Sequence, residues 1–253
     1  MYSNERREKI IEIINDNEVI SVNELTKIFN VSKVTIRADL KNLDARNLIN
    51  RTHGGAVLLK EKTVTHLAID RDNNDQKNLV LRKEIATKAL DYISVGECII
   101  LDSSAVCFEL AKLIKESSLW ITVLTNSISI ATLLQEKHNL TVIIFGGVIN
   151  RFSVIEGILG IDILKKINFD KFFFSAHGLS LKQGLSDSNL NEVDLKKRII
   201  DNSTRPIALI ESNKFESNSV STFTSLENLE LLITNDNIPS ETIEIYKDKV
   251  TVI

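Results

Sequence analysis

The sequence predicts a two-part α/β chain: a small N-terminal unit of helices closed by a β-hairpin, then a larger domain built on a mainly parallel sheet. Three observations predict it. The 253 residues are too many for one small domain and suit two. From residue 77 onward, short apolar runs alternate with helical patterns. Although the formal net charge is −3, residues 32–60 carry six Lys/Arg against two Asp/Glu, so positive charge is concentrated in one short segment.

Within residues 5–17, Ile10, Ile11, Ile13 and Ile14 form an apolar stripe flanked by charge, the mark of an amphipathic helix. Ser21 then precedes VNELTKIF with Glu24 three residues on, the spacing of a capping box that opens a second helix. Asn30-Val31 breaks the pattern. Ser32 caps a third helix running through Asn47, with Ile36, Leu40 and Leu43 on one buried face. INRTHGGAVLL reads as a β-hairpin whose turn needs positive φ at Gly54-Gly55. Helix, helix, turn, helix, hairpin is the order of a winged helix-turn-helix, which we place at residues 1–58. The polar, aperiodic stretch 59–76 serves as a linker to a domain spanning 77–253.

In that domain the expected order is helix 77–93, strand ECIILD, helix 104–116, strand ITVLT, helix 127–137, strand TVIIFGG, helix 158–167, strand KFFFSA, helix 190–203 and strand IALIE. Strands apolar on both faces belong to a parallel sheet covered by helices on each side. No stretch reaches the roughly 18–20 apolar residues of a membrane span, and MYSNERREKI lacks a signal-peptide core, so a cytoplasmic protein without a membrane partner is expected. Cys98 and Cys107 lack metal-ligand spacing and read as buried thiols. No metal and no cofactor are expected.

A helix-turn-helix, here about Ile20 to Asp39, sets the start of its last helix into the major groove of DNA. Ser32, Lys33, Thr35 and Arg37 stand on or beside that first turn, where Arg grips guanine and Lys, Ser and Thr reach phosphates or bases. Arg51 and His53 lie on the wing. Asp39, being acidic, is expected to orient an arginine or cap amides. In the larger domain, anion sites are expected where strands exit into helices. Three such exits stand out: Asp102-Ser103-Ser104, Thr125-Asn126-Ser127 and Gly146-Gly147. Hydroxyls and glycines let a phosphate approach, and Asp102 or Asn126 suit sugar hydroxyls.

Arg6, Ile10, Ile14, Ser32, Thr35, Ile36, Arg37, Asp39 and Leu40, with RTHGGA at 51–56, resemble the helix-turn-helix and wing of the DeoR family. TNS at 125–127, GG at 146–147, DKFFFSAHGL at 170–179, GLS at 184–186, NEVDLKKR at 191–198 and ESNKF at 211–215 resemble its C-terminal sensor domain, whose fold is similar to sugar-phosphate isomerases. The resemblance implies a repressor of a sugar-metabolism operon, released from operator DNA by a phosphorylated sugar, with Lys214 a further ligand contact. Paired half-sites imply a homo-oligomer, dimer or tetramer. The chain departs from the family at Ala38, where a second basic residue is usual, and at Glu211, where aspartate is. It departs again at Ser104-Ala105-Val106, where a glycine and two hydroxyl residues usually follow the aspartate. Two other readings stand beside this one. An isomerase-like enzyme would use Asp102, Asp187 or Glu192 as base, and a DNA binder could have a lost or altered ligand site. His177 reads as a loop or core histidine.

Overall fold

The computed structural model describes residues 6, 7, 9, 10, 13, 14, 19–45, 49–51, 55–58 and 75–253. The chain divides into two compact units, residues 1–62 and 63–253.

In the first unit, β1 (Val19–Ser21) leads into α1 (Val22–Phe29), α2 (Lys33–Ala45), β2 (Ile49–Arg51) and β3 (Gly55–Leu58). Residues 6, 7, 9, 10, 13 and 14 are helical, and Ile10 and Ile14 are buried with Leu25, Ile36, Leu40 and Leu43 in one core. The expected capping box is present: Glu24 N donates to Ser21 Oγ at 3.2 Å, and Ser21 N donates to Glu24 Oε2 at 2.9 Å. Asn30 ends α1 in the left-handed region at φ 51°, a conformation asparagine tolerates. Beyond the expected hairpin, β1 joins as a third strand in the order β1-β3-β2, with Ile20 opposite Ala56. Gly55 stands in β3, and its constraint is space: a Cβ there would lie 2.0 Å from the Ile20 carbonyl oxygen. Ile11, Gly54, His53 and most of the 59–76 stretch lie outside the described residues.

The second unit begins with α3 (Asp75–Leu90), β4 (Cys98–Leu101), α4 (Ala105–Glu116), β5 (Ile121–Thr125), α5 (Ile128–Leu134) and β6 (Leu140–Ile144). A small hairpin, β7 (Val148–Ile149) and β8 (Ile155–Glu156), precedes β9 (Lys171–Phe174), β10 (Gly178–Ser180), β11 (Gly184–Asp187) and α6 (Leu190–Asp201). Then come β12 (Pro206–Leu209), β13 (Ser221–Thr224), β14 (Leu231–Ile233) and α7 (Ser240–Lys247). Six strands pair in parallel in the order β14-β12-β9-β4-β5-β6.

Both faces of this sheet are covered, which is why its strands read as continuous apolar runs. Ile99, Leu101 and Phe173 point to a core shared with α3, α4 and α5. Ile100, Phe172 and Phe174 point to the opposite core, with Val193 and Ile199 of α6, Tyr246 of α7, and Leu179, Leu185 and Phe223. Those last three belong to a separate antiparallel sheet, β10-β11-β13, which the apolar pattern did not reveal because its strands are only three or four residues long and mix Gly, Ser and Thr with the apolar residues.

The helix expected at 158–167 is a single 3-10 turn, Ile161–Lys165. Gly157 turns the chain at φ +83°, and Gly160 packs so closely on Gly146 that a Cβ would lie 2.3 Å from its backbone. That contact leaves no room for a longer helix. Of the two thiols, Cys107 is buried and Cys98 only half-buried, because Cys98 opens β4 at the sheet margin. Among the described residues no helix is long and apolar enough to cross a membrane.

Candidate functional site

The first unit presents one polar face of α2. Ile36, Leu40 and Leu43 bury one side of the helix, so Lys33, Val34, Arg37, Ala38 and Lys41 are exposed on the other. Ser32 caps the helix: its Oγ accepts from Thr35 N at 3.1 Å and lies 2.9 Å from Thr35 Oγ1. Ser32 and Thr35 therefore shape the helix start, while Lys33 and Arg37 extend from it. Val34, 75% exposed, was missed by sequence reasoning. Its signal was an apolar residue out of phase with Ile36 and Leu40, suited to the methyl group of thymine. Asp39 has the orienting role expected of it: Arg6 Nε and Arg7 Nε donate to its two oxygens at 2.6 and 2.9 Å, tying the N-terminal helical segment to α2. Arg51 lies in β2 opposite Ala56.

The second unit has a cleft at the carboxyl ends of β4 and β9. From β4 the sheet grows through β5 and β6 on one side and through β9, β12 and β14 on the other, so the strand order reverses there. Chains leaving two neighbouring strands in opposite directions open a crevice between them. Ser103, Ser104, Ala105 and Val106 line it at the start of α4, opposite Ser175 and His177 after β9. The amides of a helix's first turn have no partner within the helix, and its dipole is positive there. Ser104 caps α4, accepting from Cys107 N.

Lys196 on α6 is the buried centre of the cleft floor. Its ammonium donates to Ser175 O at 2.8 Å and Asp187 Oδ2 at 3.0 Å, and lies 3.4 Å from Asp102 and 3.7 Å from Glu192. Burial alone would push this ammonium toward neutrality, but the attraction of Asp102, Asp187 and Glu192 outweighs it and holds the pKa above 10.5. Burial would also raise Asp187, yet hydrogen bonding from His177 and the charge of Lys196 keep it below the usual carboxylate range. Glu192 behaves oppositely: burial dominates and raises it, with Ser103 Oγ donating at 3.0 Å. At the other end, Arg82 Nε of α3 donates to Glu211 Oε1 at 2.9 Å, and Lys214 lies 2.5 Å from Glu211 Oε2.

The expected ligand residues separate into two groups. Asp102, Ser103, Ser104 and Lys214 converge on the cleft or its floor. Asp102 itself is occupied, accepting from Ser104 N and Ser175 N at 2.9 Å each and contacting Ser104 Oγ. Thr125, Asn126, Ser127, Gly146 and Gly147 lie at the ends of β5 and β6 and outside the cleft lining, although Ser127 pairs with Val154, which does line it. There Thr125 Oγ1 accepts from Ser127 N, Asn126 Nδ2 donates to Ile155 O, and Ser127 caps α5. Gly147 allows Ile155 and Glu156 to pack, a Cβ there lying 2.7 Å from Ile155 Cγ2. Arg82, Ser175, His177 and Lys196 were not expected at the site. His177, 46% exposed at its side chain, lines the cleft with Nδ1 2.7 Å from Asp187. Ser175, His177 and Lys196 fall in the runs 170–179 and 191–198 that carry the family resemblance, whereas Arg82 gave no sequence signal.

Residues 77–236 match the DeoR C terminal sensor domain, and residues 6–62 match the DeoR-like helix-turn-helix domain. The chain belongs to the DeoR family. This DeoR-family protein is 35% identical to the HTH-type transcriptional regulator GolR of Listeria innocua serovar 6a, over 98% of its own length and 96% of that protein's. It is 28% identical to the putative aga operon transcriptional repressor of Escherichia coli O157:H7, over 96% and 90% of the two chains. Among solved structures, ribose 5-phosphate isomerase a of Methanocaldococcus jannaschii overlaps 55% of each chain at 17% identity and a TM-score of 0.41, too slight a likeness to argue from. The DeoR-family protein is thus a DNA-binding transcriptional regulator whose larger domain is a sensor.

Proposed function

We propose that this regulator represses a sugar-metabolism operon as a homo-oligomer and is released from its operator when a phosphorylated sugar enters the cleft between β4 and β9. The observation that carries the sensor reading is the meeting, at the reversal of strand order, of the N-terminus of α4 with Ser103, Ser104, Ser175 and Lys214. This places hydroxyl, amide and ammonium donors around one small crevice, a combination suited to phosphate and sugar oxygens. Ala105 and Val106 supply backbone amides without hydroxyls. The enzyme reading has less support at two of its three carboxylates: Asp102 already accepts from two backbone amides, and hydrogen bonding from His177 with the charge of Lys196 holds Asp187 below the usual carboxylate range. Glu192, which burial raises, is the carboxylate such an enzyme would have to use, and turnover of a sugar phosphate by the protein would revive that reading.

The test is a titration of the operator complex with triose, pentose and hexose monophosphates, followed by fluorescence anisotropy and by melting of the free protein. One compound is expected to raise the melting temperature and lower operator affinity together, since a ligand shifts an equilibrium only by its differential affinity. A compound that stabilises the protein but leaves operator affinity unchanged would refute release.

For the reader, Arg37→Ala is expected to weaken specific operator binding by about 1–3 kcal/mol while leaving binding to random DNA little changed. Competition binding against both DNAs checks it. Equal loss on both would make Arg37 a phosphate contact.

A further inference from the structure

The charges on the cleft wall and floor leave no cation over. Arg82, Lys196 and Lys214 face Asp102, Asp187, Glu192 and Glu211, and each of the three cations already lies within ion-pair distance of a carboxylate. A phosphate monoester brings a charge of about −1.5 to −2 at neutral pH, whereas a helix N-terminus offers roughly half a unit of positive charge. Among the described residues, the wall holds no unpaired cation to meet that charge.

Arg151 has the missing properties. It sits in the turn between β7 and β8, exposed, and among the described residues it has no carboxylate partner. Its guanidinium carbon lies 4.7 Å from the ring centroid of Phe152, and Phe152 lines the cleft together with Val154. The turn is firmly held. Asn150 Oδ1 accepts from Phe152 N at 2.9 Å and Val154 N at 3.2 Å, and Asn150 Nδ2 donates to Glu156 Oε1 at 2.7 Å. Glu156 Oε1 also accepts from Asn189 Nδ2 at 2.8 Å, which fastens the hairpin to the start of α6 beside the cleft floor. A held turn thus sets against Phe152, a residue of the cleft wall, a guanidinium that has no carboxylate partner among the described residues, beside a site whose own cations are all paired.

We propose that Arg151 is the residue that neutralises the effector's phosphate, with Phe152 holding the guanidinium at the rim; this rests on reading the cleft as a sugar-phosphate site. Arginine suits the task because its planar fork binds phosphate oxygens in pairs. The inference also accounts for how phosphate binding survives the absence of hydroxyls at Ala105 and Val106: the recognition shifts from side chains on α4 to a side chain on the opposite rim.

The experiment is calorimetric titration of the full chain with triose, pentose and hexose monophosphates, each paired with its unphosphorylated sugar. Wild type is expected to bind one monophosphate and to prefer it to the free sugar. Arg151→Gln should raise the Kd for that monophosphate about tenfold or more, as for loss of a charged hydrogen bond, and should shrink the preference over the free sugar. Arg151→Lys should recover part of it. Arg205→Gln, which removes a surface arginine paired with Glu230, is the control expected to change neither. Melting without ligand verifies that each variant is folded. If Arg151→Gln keeps both the affinity and the preference of wild type, the assignment of Arg151 is overturned and the cleft remains a sugar-phosphate site. If wild type binds none of the monophosphates, the assignment and the reading of the cleft fall together.

Discussion

Lys196→Met is expected to destabilise the larger domain by about 3–5 kcal/mol, the cost typical of removing one partner from a buried ionic cluster. Methionine fills nearly the same volume, so the loss comes from charge and not from a void. Without the ammonium, Asp187 retains donors in Ser188 N and His177, and Asp102 retains Ser104 N and Ser175 N, but Asp102, Asp187 and Glu192 lose the one cation they share. The pH dependence has a definite sign. Asp187 is held below its ordinary 3.8 in the folded wild type, so its contribution is complete above that value and is lost as pH falls through the lower folded pKa. Lys196, held above 10.5, contributes fully below that value and loses its contribution as pH rises through the folded pKa. The gap between wild type and variant is therefore widest near neutrality and narrows below about pH 4. Denaturant unfolding followed by circular dichroism across pH measures it. A gap under about 1 kcal/mol at pH 7 would show that the carboxylates do not depend on Lys196.

Asp39→Ala is expected to abolish binding to operator and random DNA alike while leaving the melting of the larger domain in place. The carboxylate is 2% exposed and is shared by Arg6, itself 8% exposed, and Arg7. Its removal strands a buried guanidinium at a cost of about 3–5 kcal/mol. The first unit is only 62 residues long, and domains of that size have little stability in reserve. The contrast with Arg37→Ala is diagnostic: one change unfolds the reader, the other blunts its choice of sequence. Two calorimetric transitions in wild type and one in the variant would establish the first. Retained binding to random DNA would instead mean that the Arg6 and Arg7 contacts are dispensable for folding.

The reader was legible in the sequence because its signals are local. Ser21 and Glu24 are three residues apart, Ile36, Leu40 and Leu43 lie along one helix, and Ser32 caps the residues immediately after it. The parallel sheet was legible for a related reason, since burial on both faces writes itself as uninterrupted runs such as KFFF. The cleft was only half legible. Asp102, Ser103 and Ser104 advertise themselves at a strand exit, whereas Arg82 and Glu211 are 129 residues apart and Lys196 reaches Ser175 from a different element. A lysine in an amphipathic helix reads as solvent-facing until the three-dimensional fold shows which carboxylates surround it. Thr125, Asn126 and Ser127 show the complementary ambiguity: they make turn and helix-cap hydrogen bonds here, and the residue types that satisfy turns and caps are the same types that bind sugars.

The position of β4 at the middle of the sheet also bears on how the protein is made. Its two neighbours both follow it in the chain but at very different distances: β5 begins at Ile121, and β9 only at Lys171. A ribosome that has released residues through 170 has released a complete reader and a sensor with one bare strand edge, lacking Ser175, Lys196 and Lys214. Contacts this distant in sequence form late and slowly. Each newly made molecule therefore has a complete reader before it has a complete sensor cleft.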